Sequence, residues 1–286
     1  MKTFNCLCAA IVMCLMSGAL LAQQKTEETA QTLSSDNVTH LGTLDYNSGN
    51  LRPAGATAMP GDAIWENNVF TGSFRTLDPT PGNEEEVIDA GDLPSGTEVG
   101  AFEMGIATDS SEPVTVQVTF YQTDAFGTTT EPLSKRDGTP ATYDVVLDGL
   151  PGGLFGFTVN VRLRGTEAFI IDGDDLDGDG ATDWGYGYVV TDPGNSTTIG
   201  ALISGEGPAG APGRFDAFDL YQPPFLDPAS SFIGTPFFGG DPFAQFHMAL
   251  TKAFPSPAVP TMNSFGLLGM ALALMLGAGL FLRRRA

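Results

Sequence analysis

The chain has 286 residues, 42% apolar and 16% charged, with 34 acidic against 13 basic side chains and a formal net charge of −21. Such a field repels nucleic acid and anionic lipid headgroups, so neither is expected as a partner. Thirty-six Gly and 20 Pro stay below the proportion found in disordered low-complexity chains and read instead as turns between short strands.

The first 22 residues, MKTFNCLCAAIVMCLMSGALLA, have a basic start at Lys2, an apolar stretch and small residues leading to Ala22. That is the pattern of a secretory signal peptide, with Gln23 as the first residue after cleavage. Cys6, Cys8 and Cys14 all lie inside it, so the body carries no cysteine catalysis, thiolate metal site or disulfide. Residues 23–37 are polar and aperiodic, and a mobile lead-in is predicted there.

From residue 38 to 254 the pattern is that of strands. Phe102, Met104 and Ile106 alternate in AFEMGIA; Val114, Val116, Val118 and Phe120 alternate in PVTVQVTFY. Phe155, Phe157, Val159, Val161 and Leu163 do the same in FGFTVNVRL. TYDVVLDGL and FAQFHMALT fit as further strands, the second burying Phe246, Met248 and Leu250 and leaving His247 facing solvent or an edge. Turn signals such as DPTPGN, KRDGTP and LPGG separate the runs, and no 3.6-residue stripe appears. The fold class predicted is all-β: one antiparallel β-sandwich, jelly-roll-like.

One chemical constellation stands out in DGDDLDGDGATDWGYGY. Counting from Asp175, carboxylates recur at Asp177 and Asp179, Gly180 allows a sharp turn, Ala181 offers a carbonyl and Asp183 closes the series. Alternate oxygens of a tight loop converge on one ion in this way, and calcium accepts the irregular geometry. Tyr186 stands where an EF-hand has its bidentate Glu. The run resembles the acidic loops of dockerin and thrombospondin type 3 repeats, which implies a structural Ca2+ ion.

Other signals are weaker. GEGPAG matches a dinucleotide-binding spacing, but Pro208 and Pro212 forbid the helix that spacing needs. The two histidines, His40 and His247, belong to no hydrolase or metalloprotease motif, although either leaves a Ser-His-acid triad open. Trp65, Trp184, Tyr186 and Tyr188 are candidates for stacking on sugar rings, or for core packing.

The tail begins with a Pro-rich spacer, residues 255–264. Eighteen residues without a polar side chain follow, Phe265 to Leu282, about 27 Å as a helix and enough to span a bilayer. Arg283, Arg284 and Arg285 then act as a stop-transfer end on the cytoplasmic side, residues 283–286. Val259-Pro260-Thr261-Met262, the pair Phe265-Gly266, the apolar helix and the arginines together resemble the IPTL-CTERM sorting signals, relatives of the PEP-CTERM signals. The resemblance implies an exosortase-like membrane transpeptidase as partner and delivery to the cell surface or extracellular matrix. The function expected is structural or adhesive rather than enzymatic. The alternative is a carbohydrate-binding module or a secreted polysaccharide hydrolase or lyase on the same fold, with extracellular polysaccharide as partner.

Overall fold

A computed structural model describes residues 26–53, 63–124, 128–173, 175, 178–210, 218–223, 232–238 and 245–252. The apolar segment 265–282 and the sorting residues lie outside these. Among the described residues no helix is long and apolar enough to cross a membrane.

The fold is all-β. The chain opens with β1 (Thr26–Glu27), β2 (Gln31–Thr32), β3 (Val38–Asp45), β4 (Asn50–Pro53), β5 (Ala63–Asn67) and β6 (Val69–Thr76). It continues with β7 (Glu86–Leu93), β8 (Thr97–Thr108), β9 (Val114–Asp124), β10 (Thr128–Pro132), β11 (Thr142–Leu147) and β12 (Phe155–Arg162). Then come β13 (Phe169–Ile171), β14 (Thr182–Asp192), β15 (Ile199–Gly205) and β16 (Asp219–Tyr221). The described part closes with β17 (Phe232–Gly234), β18 (Pro236–Phe237) and β19 (Met248–Lys252). The only helical residues described are two 3-10 turns, Ser35–Asn37 and Gly165–Glu167.

Two large sheets share the core. One has ten strands with the path β2-β6-β15-β8-β12-β3-β4, and β13, β19 and β5 attach beside it. The other has seven, β10-β9-β14-β7-β16-β17, with β11 on β9. Successive strands cross from sheet to sheet: β6, β8, β12 and β15 belong to the first, and β7, β9, β11 and β14 to the second. The alternating residues read from the sequence therefore face one another. Phe102, Met104 and Ile106 of β8 and Val159 and Val161 of β12 pack into the same buried cluster as Val114, Val116, Val118 and Phe120 of β9. Burial of these side chains is the main favourable term for a fold without disulfides.

Two expectations need correction. The sheets are not purely antiparallel: β12 runs parallel to β3, and β1 parallel to β18. Residues 26–37 are also more than a loose lead-in. Leu33 is buried in a small cluster with Phe74, Ala107 and Leu202 on the outer face of the ten-stranded sheet, and Glu28 pairs with Arg75 at 2.8 Å. Two short strand pairings, Leu33, Ala30 and the ion pair dock the segment, contacts too short and scattered to produce a periodic signal.

The ten-stranded sheet divides along β8. β15 pairs with Ile106, Ala107 and Thr108, whereas β19 takes over from Met104 back to Val99. Gly105 sits between the two partners. Ser204 N–H donates to Gln245 O and His247 N–H to Leu202 O, both at 2.9 Å, stitching β15 to the segment entering β19. A second irregularity lies in β3. His40 pairs with Thr158 and Gly42 with Val159, so Leu41 is an extra residue, and Gly42 has φ 119°. Bulges of this kind re-aim side chains, and here the one re-aimed is His40.

Candidate functional site

On the outer face of the ten-stranded sheet, beside this division, lies a pocket of about 500 Å³. Glu103 alternates with the inward Phe102 and Met104, so its side chain projects outward from β8. Asn160 of β12 is its cross-strand partner, and Thr158 lies two residues along the same face. β3 contributes His40 and Val38, β5 contributes Ala63 and Glu66, Asn68 lies between β5 and β6, and Phe70 comes from the start of β6; His247 completes the lining. Both histidines of the chain thus meet at one site. No lysine or arginine is among the described residues lining it.

The polar groups are ordered by specific bonds. His247, 3% exposed, lies with Nε2 2.8 Å from Glu103 Oε1 and Nδ1 2.8 Å from Ser204 Oγ. A carboxylate only accepts, so Nε2 carries a proton toward Glu103, while Nδ1 and the serine hydroxyl bond each other on the far side of the ring. Gly105 makes room for the ring: a Cβ there would stand 2.9 Å from His247 Cβ and Cγ. Across the pocket, His40 Nδ1 is 2.9 Å from Thr158 Oγ1, and Asn160 Nδ2 is 3.2 Å from His40 Nε2. Asn160 is 1% exposed, and its Oδ1 has no hydrogen-bond partner among the described residues. Glu66 is held from outside, its Oε2 accepting from Ala209 N–H at 2.7 Å.

Ser204, His247 and Glu103 form a serine-imidazole-carboxylate line, yet not a hydrolytic triad. In a triad Nε2 faces the serine and Nδ1 the acid; here the nitrogens are exchanged. Ser204 is fully buried and does not line the pocket, so no acyl group reaches its Oγ. What the line does is orient Glu103. Of the two places expected for His247, solvent or an edge, the solvent-facing one is corrected: the residue is buried where the sheet divides, its backbone bonded to Leu202 of β15. Sequence reasoning does not single out Glu103 or Asn160, which fall between the apolar positions of β8 and β12, and their convergence with His40 depends on strand order and on the β3 bulge.

Of the two readings of the four aromatics, sugar stacking or core packing, the structure shows core packing. Trp65 is 1% exposed, and Trp184, Tyr186 and Tyr188 are fully buried. Trp65 packs edge-on against Trp184 at 5.1 Å and Tyr186 at 5.7 Å. β14 is flanked by β9 and β7 and covered on both faces, which leaves no ring free for a ligand.

The acidic loop joins β13 to β14. Asp175 Oδ1 accepts from Gly178 N–H at 2.7 Å and Oδ2 from Gly180 N–H at 2.9 Å, while Asp179 Oδ1 accepts from Ala181 N–H at 2.8 Å. Gly178 and Gly180 have φ of 79° and 93°, so the loop turns sharply where the sequence required it. Asp183 lies at the start of β14, and Asp177 lies outside the described residues. Among the described residues no three metal-binding side chains come together. Val259, Pro260, Thr261, Met262, Phe265, Gly266 and the three arginines also lie outside the described residues.

Comparison of the chain with protein-family models, with curated proteins and with solved structures finds no match.

Proposed function

We infer that the protein is an exported, surface-sorted component of the cell envelope or extracellular matrix, with a structural or adhesive role. The observation that carries this is the end of the chain: a Pro-Thr tetrapeptide at Val259–Met262, an apolar run and three arginines follow within 34 residues of the last described strand, β19. An exosortase-like transpeptidase would cut near the tetrapeptide and release the body to the surface. The strongly acidic body suits a matrix molecule that repels its neighbours and stays soluble. For the body itself we propose a jelly roll. Supporting it are the orders β6-β15-β8-β12 and β7-β14-β9-β11, the interleaving that two Greek keys produce when they wrap into facing sheets. A calcium ion in the β13–β14 loop would pin that connection; the sharp Gly178–Gly180 turn supports it.

Peptide mapping of the C-terminus, on protein isolated from its native cells, tests the sorting reading. Chains ending between Val259 and Met262 are the expected result. Recovery of an intact peptide running from Thr261 to the arginines would replace it with a permanent membrane anchor. The second reading, a glycan-binding body, is favoured by one specific observation, the polar pocket around Glu103 and Asn160.

A further inference from the structure

The pocket at the division of the ten-stranded sheet is built in a way that a solvated trough on a sheet does not require. Asn160 is buried to 1% exposure with Oδ1 unpartnered among the described residues, although it lines the pocket. Buried polar atoms are nearly always paired; Oδ1 is itself closed to solvent, and a small turn of the amide toward the cavity would give it the donor it lacks. Beside it, the Glu103 carboxylate is held through Oε1 by a buried imidazole, which is itself set by Ser204. Glu103 is 16% exposed at its side chain, enough to reach a ligand in the pocket and too little to be a free surface acid.

The geometry points to a neutral sugar as the ligand of this pocket, its hydroxyls bonded by Glu103 and Asn160 and its C–H face resting on Phe70. Charge decides the first part. Two carboxylates, Glu103 and Glu66, and no lysine or arginine among the described lining residues disfavour phosphate, sulfate and uronic acids. Hydrogen-bond chemistry decides the second. An ammonium group brings only donors, whereas the Thr158 hydroxyl and the Asn160 amide both donate and accept. A sugar hydroxyl matches both roles. Phe70, half-buried on β6, supplies the apolar surface that a pyranose ring needs on one side. The volume falls in the range of roughly 300–1,000 Å³ typical of small-molecule sites. The site belongs to the body alone and stands whether or not the tail is cleaved, so its failure and that of the sorting reading are read in separate experiments.

The test is ligand-observed saturation-transfer NMR on the full-length protein in a non-glycosidic detergent. The probes are methyl glycosides of glucose, galactose, mannose and N-acetylglucosamine, with glucuronic acid and ethanolamine as charged comparisons. Saturable transfer to at least one neutral glycoside is expected, weakened at least tenfold by both Glu103→Gln and Phe70→Ala, with each variant still melting cooperatively above the temperature of the experiment. Phe70→Ala touches neither the His247 line nor the Asn160 bonds, so it keeps the test meaningful if Glu103→Gln fails to fold. Absence of transfer to every neutral glycoside, equal binding by the parent and the Phe70 variant, or selective binding of ethanolamine would each overturn the proposal.

Discussion

The hydroxyl of Tyr186 lies 2.7 Å from the carbonyl oxygen of Phe246, joining a central strand of one sheet to the segment that enters β19 in the other. The same hydroxyl is 2.9 Å from Asp89 Oδ2, which accepts from Phe246 N–H at 3.0 Å. Tyr188 donates in the same way to His247 O. Two tyrosines thus set the backbone that carries His247, and His247 sets Glu103. Tyr186→Phe removes a buried hydroxyl while preserving the ring. Its expected cost is about 1–3 kcal/mol, because the single proton that Asp89 and the Phe246 carbonyl share in the core is lost. Denaturant unfolding of parent and variant measures it; equal midpoints would show that the hydroxyl carries no stability.

Gly105 offers a test of the same region from the other side. Its backbone is extended, and an added methyl would meet His247 Cβ and Cγ at 2.9 Å and Leu202 Cδ1 at 3.0 Å. Gly105→Ala is therefore expected to destabilise by about 1–3 kcal/mol through overpacking, against the usual gain from replacing a strand glycine. A raised melting temperature would mean that the ring has slack the present contacts do not suggest.

How far the sequence already carried this fold depends on whether a signal is local. β8, β9 and β12 were legible because each alternates over several residues and buries one face in a single core. The parallel pairing of β12 with β3 was not, since register between strands more than 100 positions apart leaves no local trace. Trp184, Tyr186 and Tyr188 stayed open between sugar stacking and core packing for a related reason. Their alternation is genuine, but glycines occupy the intervening positions, Gly185 and Gly187, which suits a strand covered on both faces as readily as an exposed ladder. His247 fell on the polar side of an alternation, yet the sheet divides at that point and closes over it. The pocket was the least legible feature: Glu103, Asn160 and His40 are unremarkable in their own strands and meet only through strand order and the Leu41 bulge.

Glu86 gives a pH dependence with a defined sign. It is 3% exposed on β7, with Tyr121 Oη donating to Oε1 at 2.5 Å from β9 and Tyr221 of β16 directly across the ladder. Burial pushes its carboxyl from 4.5 up to about 7, against the opposing pull of the Tyr121 bond. The folded state then holds a proton that the unfolded chain has released. The stability this contributes is complete below 4.5 and is lost as pH rises through about 7. The amount is about 3 kcal/mol. Glu86→Gln keeps an acceptor for Tyr121 and removes the ionisation, so the difference between the parent and variant melting curves should grow from pH 5 to pH 8. Parallel curves over that range would show that Glu86 titrates at its ordinary value.

The β13–β14 loop makes the last prediction, because its geometry separates charge from shape. Asp179 uses Oδ1 to accept from Ala181 N–H at 2.8 Å, a bond that asparagine can also make. The double substitution Asp177→Asn with Asp179→Asn therefore removes two negative charges while leaving the Asp179 turn intact. If calcium occupies the loop with a dissociation constant of roughly 10⁻⁴–10⁻³ M, 10 mM calcium stabilises the folded chain by about 1.4–2.7 kcal/mol. The parent should melt several degrees higher in calcium than in chelator, and the double variant should melt at one temperature in both. A parent indifferent to chelator would leave the acidic loop as a solvated turn, held by bonds such as those of Asp175 to Gly178 and Gly180 and of Asp179 to Ala181. A double variant that still responds to calcium would move the ion to other carboxylates of the body.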